Sequence, residues 1–312
     1  MVNHVLSVEE LGAEHLMSLV DRALMITHAD HGYKPTLAGK VVGIYFRCSS
    51  TRTRTAFSVG AMKLGANIIS YGPSDLQLVT GETVQDTTRV LAKYLDALVV
   101  RTNGSIEEMN AMIMQSEMAI INALGEREHP TQAIADLVTL KEIFGCLNDL
   151  HVLYLGEGNN TAASLALAAA QIKGMRLTLV TPDGYGLPES IMTKATTLAT
   201  QSHALVRQLH DLDELPRDVD AVYTSRWRTM GVPKSDPEWQ QKFVPYKVTA
   251  DLMRRVSKSQ KTVFLHDLPA VRGGDVDNEV LDGPQSHAFR QAYHKMTSAM
   301  AVLEWSMGVR IE

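Results

Sequence analysis

Short apolar runs alternate with longer amphipathic stretches along the 312-residue chain. The apolar runs are VVGIYF (41–46), NIISYG (67–72), ALVVRT (97–102) and MAIINAL (118–124), then HVLYLG (151–156), RLTLVT (176–181), AVYTSR (221–226) and TVFLHDL (262–268). They are short, mostly apolar and in several cases β-branched, as strands buried on both faces of a parallel sheet are. The stretches 52–64, 84–95, 131–144 and 160–173 between them read as amphipathic helices. This alternation predicts an α/β chain with parallel sheets. The strands fall into two groups of four, which places a domain boundary near residue 145, beside the turn FGCLND. An opening helix is predicted from Ser7 and Glu10, spaced as a capping box, and a closing helix from roughly 286–306. The longest irregular stretch, 227–247, holds Pro233, Pro237 and Pro245 and reads as a binding loop.

Composition narrows the function classes. With 45% hydrophobic and 21% charged residues the chain is ordinary globular protein, not disordered, collagenous or coiled-coil. A net charge of −5 argues against a partner such as nucleic acid, which needs a basic face. No apolar run reaches the roughly 18 residues of a membrane span. The opening MVNHVLSVEELGAEHL lacks the basic-then-apolar order of a signal peptide. Cys48 and Cys146 are the only cysteines, with no CxxC and no Cys/His cluster, so a reducing cytoplasm and no metal are expected.

The strongest local pattern is SSTRTRTAF (49–57), directly after the run VVGIYF. A strand that enters a turn of hydroxyl residues and then a helix presents free N–H groups and the positive end of a dipole to an anion. Ser50, Thr51 and Thr53 add hydroxyls, and Arg52 can fork two donors onto oxyanion oxygens. The plainer reading is a Ser/Thr N-cap followed by solvated arginines. Arg101 ends the third run, and His129, Pro130, Thr131 and Gln132 follow the fourth. Ligands of open α/β sheets bind beyond the carboxyl ends of the strands, so these groups belong at one edge. Alone, His129 is a structural histidine; in this set it is a site residue.

With STRTR (50–54), the Arg of VVRT (99–102), HPTQAIADL (129–137) and HDLPA (266–270) in this order, the chain resembles the aspartate/ornithine carbamoyltransferases over nearly its whole length. The resemblance implies two doubly wound parallel-sheet domains: a carbamoyl-phosphate-binding one over 1–145 and an amino-substrate-binding one over 146–285, with a C-terminal helix over 286–312 returning to the first. It implies a homotrimer with active sites shared between subunits, and chemistry that needs no metal or organic cofactor. Ser50, Thr51, Arg52 and Thr53 would bind the phosphate, and Arg101, His129 and Gln132 the carbonyl oxygen and carbamoyl group. The backbone carbonyls of Asp267 and Leu268 would accept the carbamoyl NH2. Leu268, preceding Pro269, is expected to be extended.

Loop 74–83, SDLQLVTGET, would reach the neighbouring subunit's site, with Gln77 where ornithine-type enzymes contact carbamoyl phosphate. Aspartate-type enzymes use a Lys before the GET; Thr80 stands here. Lys295 occupies the place of a carbamoyl-phosphate-contacting Arg.

The amino-substrate half departs further from the family. LGEGNNT (155–161) is a near miss to a dinucleotide fingerprint, with Thr161 in place of the third glycine; a tight strand–helix turn also accounts for it. Ornithine-type enzymes carry GDGNN there, whose second Asn, here Asn160, contacts the amino acid. YTSRWRTMG (223–231) matches their D-x-W-x-S-M-G pattern at Trp227, Met230 and Gly231. Ser225 stands where their Asp pairs with the α-amino group, and Thr229 replaces their Ser. Arg226 sits where aspartate-type enzymes hold a carboxylate. Arg228 reads as a second cation or a solvent-facing side chain, Met230 as substrate contact or core, and Trp227 as a loop anchor. Asp267 replaces a Cys, and beside the carbamoyl carbon a carboxylate would attract an ammonium group and accept its proton; an exposed loop carboxylate is the alternative.

The expected reaction is carbamoyl transfer from carbamoyl phosphate to the amine of an amino acid that also bears a carboxylate, with Arg52, Arg101, His129 and Asp267 as catalytic groups. Ornithine itself comes next as acceptor, then aspartate. A silent carbamoyl-phosphate-binding homologue is the rival from another class, and the presence of Ser50, Arg52, Arg101, His129 and Gln132 stands against it.

Overall fold

The computed structural model of the chain describes residues 2–29, 32–114, 117–228, 234–258 and 261–309. The chain divides into two compact units, one formed by Met1–Val138 with Tyr293–Glu312 and the other by Thr139–Ala292.

In the first unit, β1 (Val41–Phe46), β2 (Asn67–Tyr71), β3 (Ala97–Arg101) and β4 (Ala119–Leu124) form one parallel sheet in the order β2-β1-β3-β4. All residues of β3 are buried, whereas β2 is an edge strand with most of its residues exposed. Helices α1 (Val8–His28), α2 (Thr51–Lys63), α3 (Val84–Leu91), α4 (Ile106–Ile113) and α5 (Pro130–Phe144) complete the alternation, α5 running on past the end of the first segment. Four parallel strands put their carboxyl ends at one edge, so the segments after β1, β2 and β4 and the side chain of Arg101 emerge together. Between Val100 and Arg101 the β3–β4 register slips, Arg101 pairing with Leu124, whose φ is 152°. Such a bulge turns the strand end and re-aims its side chain.

Ser7 caps α1 by accepting from the Glu9 N–H at 3.1 Å. The carboxylate beside it is Glu128 rather than Glu10: Ser7 Oγ donates to Glu128 at 2.7 Å, and the Val8 N–H donates at 3.0 Å. Hydrogen bonding across about 120 residues of chain thus does what a local capping box was expected to do.

The second unit carries β5 (His151–Leu155), β6 (Arg176–Val180), β7 (Leu205–Leu209), β8 (Ala221–Thr224) and β9 (Val263–His266), parallel and ordered β7-β6-β5-β8-β9. Its helices are α6 (Asn160–Ala169), α7 (Glu189–Ser202), α8 (Trp239–Phe243), α9 (Ala250–Val256) and α10 (Asn278–Leu281), and α11 (Ala288–Ser306) begins here and ends in the first unit. There, Asn3 and Arg22 hydrogen-bond residues of α11, Arg22 gripping the buried Glu304 at 2.7 and 2.9 Å.

The fifth strand corrects the expected group of four. β7 reads LVRQL and buries only Val206, because an edge strand keeps one side in water and so lacks the apolar run of its neighbours. The stretch 227–247 is also less irregular than expected, since it holds α8 and the 3-10 turn Val244–Tyr246.

Acid should weaken this unit through His151. Its ring is buried, with Nε2 3.0 Å from Thr178 Oγ1, which also accepts from Arg207 at 3.1 Å. Burial first, then Arg176 and Arg207, lower its pKa to about 4, whereas the unfolded chain restores about 6.5. Between these values the unfolded state binds the extra proton. The His151 contribution is therefore complete above about pH 6.5 and is lost as pH falls through about 4. Denaturant titrations on either side of this window should differ by at most about 3 kcal/mol from this residue, and His151→Gln should flatten the difference. An unchanged pH profile in the variant would contradict it.

Among the described residues no helix is long and apolar enough to cross a membrane, and no group of three or more His, Cys, Asp or Glu side chains is placed to hold a metal ion.

Candidate active site

The first unit gathers the predicted phosphate residues. Ser50 takes the N-cap position of α2 with an extended backbone, yet its side chain makes no capping hydrogen bond. The first turn holds no acidic residue and instead carries Arg52 and Arg54. Cations at the positive end of a helix oppose its dipole, an arrangement unfavourable for an isolated helix and favourable around a bound anion. Ser50 thus occupies the N-cap position without the side-chain bond of a Ser/Thr cap.

Behind this turn the site is dry. Thr53 and Arg101 are both 5% exposed, and Arg101 Nη1 donates to Thr53 Oγ1 at 3.5 Å. His129, 4% exposed, lies just ahead of α5 with Thr131 Oγ1 3.4 Å from its Nδ1. Burial, then the charges of Arg101 and Lys295, push its pKa well below the usual histidine range. The imidazole is therefore neutral at physiological pH. Lys295 itself is buried, on the part of α11 that belongs to this unit.

Gln132 is 1% exposed and donates through Nε2 to the buried Asp136 at 2.7 Å. Its Oε1 is buried without a hydrogen-bond partner among the described residues. Because Asp136 accepts from the amide nitrogen, the amide is oriented and its oxygen is left as an acceptor. Gln77 is not part of this cluster: it opens an exposed 3-10 turn, Gln77–Thr80, and its Oε1 accepts from Thr80 at 2.8 Å.

In the second unit the loop after β5 is shaped by packing. A Cβ on Gly158 would lie 2.3 Å from the Gly186 carbonyl carbon and the Leu187 nitrogen, while the Gly158 N–H donates to the Tyr185 carbonyl at 2.8 Å. Two backbones touch here, which accounts for the GxG spacing without a nucleotide. Asn159 caps α6 by accepting from the Thr161 and Ala162 N–H groups, and Asn160 is the first residue of that helix.

Ser225 is 1% exposed and spends its hydroxyl on this scaffold. It accepts from Asn159 Nδ2 at 2.9 Å and lies 2.6 Å from the Tyr154 hydroxyl, which donates to the Glu157 carbonyl at 2.8 Å. Arg226, next in sequence, is half-buried, and its Nε is buried with no hydrogen-bond partner among the described residues. Trp227 is 8% exposed, its ring centroid 5.4 Å from that of Phe243, while Arg228 is exposed. Thr229 and Met230 lie outside the described residues.

Asp267 follows β9 and is mostly buried rather than an open loop carboxylate. Oδ2 accepts from Thr161 Oγ1 at 3.2 Å, and Oδ1 is 3.5 Å from His266 Nδ1. Leu268 is not extended: its φ is 54°, the Leu268–Pro269 bond is cis, and its N–H donates to His266 Nδ1 at 2.8 Å. The bond to the side chain two residues back closes a tight turn that overrides the pre-proline preference. His266 is itself fully buried between Asp267 and Asp275. Sequence reasoning missed Asp136, Thr161 and His266 as supports, since nothing in their local pattern shows which long-range partner they orient.

The geometry matches known proteins along both units. Residues 3–142 match the family described as aspartate/ornithine carbamoyltransferase, carbamoyl-P binding domain, and residues 148–306 match its Asp/Orn binding domain. The ornithine carbamoyltransferase of Bacillus thuringiensis subsp. konkukian is 36% identical over 301 residues, covering 96% of this chain and 92% of that protein. That of Caldicellulosiruptor saccharolyticus is 36% identical over 304 residues, covering 97% of each. Among solved structures, the ornithine carbamoyltransferase from Pyrococcus furiosus superposes with a TM-score of 0.92 at 32% identity, covering 98% of this chain and 97% of that one. The chain belongs to the aspartate/ornithine carbamoyltransferase family. It is a carbamoyltransferase with an amino-acid acceptor.

Proposed function

We propose that the chain moves the carbamoyl group of carbamoyl phosphate to the amine of an amino acid that also carries a carboxylate, as a cytoplasmic homotrimer that needs no metal or organic cofactor. The observation that carries this reading is the uncapped, acid-free start of α2 beside buried Thr53, Arg101 and neutral His129. Ser50, Thr51, Arg52 and Thr53 hold the phosphate, with Lys295 adding charge. Arg101, His129 and Thr53 stabilise the oxygen that becomes negative as the amine adds, a preorganised electrostatic effect. A neutral imidazole suits that task, because it donates one hydrogen bond without needing a proton from solvent. Gln132 accepts from the carbamoyl NH2 through its open Oε1, as do the carbonyls of Asp267 and Leu268. Asn160, Ser225, Arg226, Thr229 and Met230 belong to the amino-acid side, Ser225 acting through the Tyr154–Asn159 scaffold. The Asp267 carboxylate takes the proton released when the amine becomes a ureido nitrogen.

A second reading, ornithine as acceptor, is favoured by the Asn159–Asn160 pair and by the relatives, whose names specify ornithine. Carbamoyl phosphate offered with ornithine, a shorter diamino acid, aspartate and putrescine, read as ureido product, separates these. Turnover should favour a carboxylate-bearing amine; no ureido product from any of them would overturn the assignment.

Exposed apolar side chains on the turn that Gln77 opens and on and after the following helix are compatible with a trimer: Val79 is 63% exposed, Val90 49% and Tyr94 69%. In an assembly that covers them, Gln77 serves a neighbouring site. Mixing Arg52→Ala subunits with Gln77→Ala subunits should therefore regain activity that neither has alone. If Gln77→Ala is impaired and verified subunit exchange restores nothing, the sharing is wrong.

A further inference from the structure

The second unit holds a lysine in a box of aromatic rings. Lys234 keeps only 6% of its side chain exposed and pairs with the Glu157 carboxylate. Its ammonium lies 5.0 Å from the ring centre of Tyr185, 5.1 Å from Trp239 and 5.1 Å from Phe243. Lysine ammonium groups are strongly hydrated and seldom buried unless paired. Three ring faces and a carboxylate replace that water here, with the ring quadrupoles attracting the cation. The walls are themselves tied: Tyr185 and Trp239 each meet Phe243 edge to face, with ring centroids 4.9 and 5.6 Å apart, and Asp236 accepts from the Tyr185 hydroxyl while pairing with Lys242 at 2.8 Å.

Phe243 connects this box to the acceptor residues. It is fully buried, and its ring also meets that of Trp227, the neighbour of Arg226, with centroids 5.4 Å apart. Glu157 is in turn part of the loop whose carbonyl accepts from Tyr154, the partner of Ser225. The boxed ammonium therefore ties together both strand ends on which the acceptor residues are carried, after β5 and after β8.

We infer that Lys234 is a positioning residue: its ammonium, held by Glu157 and the three rings, fixes Trp227 and so the direction of Arg226. The inference rests on the proposed role of Arg226 toward the acceptor's carboxylate, and it assigns Glu157 to an internal cation. The acceptor's amine is left to Asp267.

The test uses Lys234→Met, which keeps length and removes charge, with Lys234→Arg as the conservative variant and Glu157→Gln as the partner change. In Lys234→Met the KM for a carboxylate-bearing acceptor should rise about tenfold or more, with kcat and the KM for carbamoyl phosphate within about twofold. Lys234→Arg should recover part of the loss, because a guanidinium stays cationic and stacks on rings, and Glu157→Gln should reproduce it. A readout independent of turnover is acrylamide quenching of tryptophan fluorescence in a Trp305→Phe background, which leaves Trp227 and Trp239 as reporters; Lys234→Met should raise it. An unchanged acceptor KM in active Lys234→Met enzyme overturns the inference whatever the quenching. A uniform fall in every kinetic constant with no recovery in Lys234→Arg overturns it as well. If the unaltered enzyme carbamoylates no amine, the proposed function fails by itself, and quenching alone decides the box: raised supports it, unchanged overturns it.

Discussion

Arg52→Ala should lose carbamoyl transfer by about a thousandfold or more. The loss follows from removing a forked cation from a dianionic phosphate that otherwise meets helix N–H groups and hydroxyls. Arg52 lies in the first turn of α2, where the dipole is positive and the turn holds no acidic side chain, so an anion bound there meets the guanidinium and the helix start together. Lysine should restore binding only in part, since it keeps the charge without the fork. The measurements are steady-state kinetics over carbamoyl phosphate concentration and a thermal melt with and without phosphate, which should stabilise the unaltered protein more than Arg52→Ala. Near-normal turnover in Arg52→Ala would remove the assignment of this loop.

The parts of this molecule that sequence conveyed are those where one local rule dominates. Strands announce themselves as apolar or β-branched runs, as even the mostly exposed edge strand β2 does with NIISY, so eight of the nine were legible; β7 was not, because Arg207 and Gln208 on an edge strand look like loop. The STRTR turn and HPTQ were legible because strand-to-helix junctions in a parallel sheet must share an edge. The internal state of each site residue was not. That Gln132 offers its oxygen depends on Asp136, a turn further along the same helix. That Ser225 is committed to Tyr154 and Asn159 depends on residues about 70 positions away. The φ of Leu268 depends on a histidine nitrogen that outbids a backbone preference. Each is a hydrogen bond that one-dimensional pattern cannot orient.

These same hydrogen bonds change what the replaced residues mean. The family resemblance sets Ser225 where ornithine-type enzymes supply a carboxylate, but its hydroxyl is not an idle gap. It closes a chain from Asn159 through Tyr154 to the Glu157 carbonyl, holding the loop after β5 against the end of β8. Glu157 is in turn neutralised by Lys234. Asp267 is the carboxylate among the proposed site residues, and its Oδ1 is buried without a hydrogen-bond partner among the described residues. One carboxylate and one guanidinium among the proposed site residues suit an acceptor with one amine to be carbamoylated and one carboxylate.

Arg226→Ala should then lower the efficiency toward every carboxylate-bearing acceptor by about 2–3 kcal/mol, roughly 30- to 150-fold, and spare a plain diamine such as putrescine. The motivation is Arg226 Nε, buried with no hydrogen-bond partner among the described residues. A buried donor left unmatched costs about 1–3 kcal/mol, a cost that a bound carboxylate removes by pairing with it. The gain cannot approach the bare Coulomb value, because both charges shed water when they meet. Two signs accompany the loss. Stability without substrate should stay level or rise in Arg226→Ala, since an unsatisfied donor disappears, and the KM for carbamoyl phosphate should not move. Asp267→Asn should show the complementary pattern, with kcat falling for all amines because the proton acceptor, not the carboxylate partner, is gone. Kinetics of both variants against ornithine, a shorter diamino acid, aspartate and putrescine separate the two roles. If Arg226→Ala loses as much toward putrescine as toward the amino acids, the guanidinium is not reading a carboxylate, and the acceptor class has to be sought from Asp267 alone.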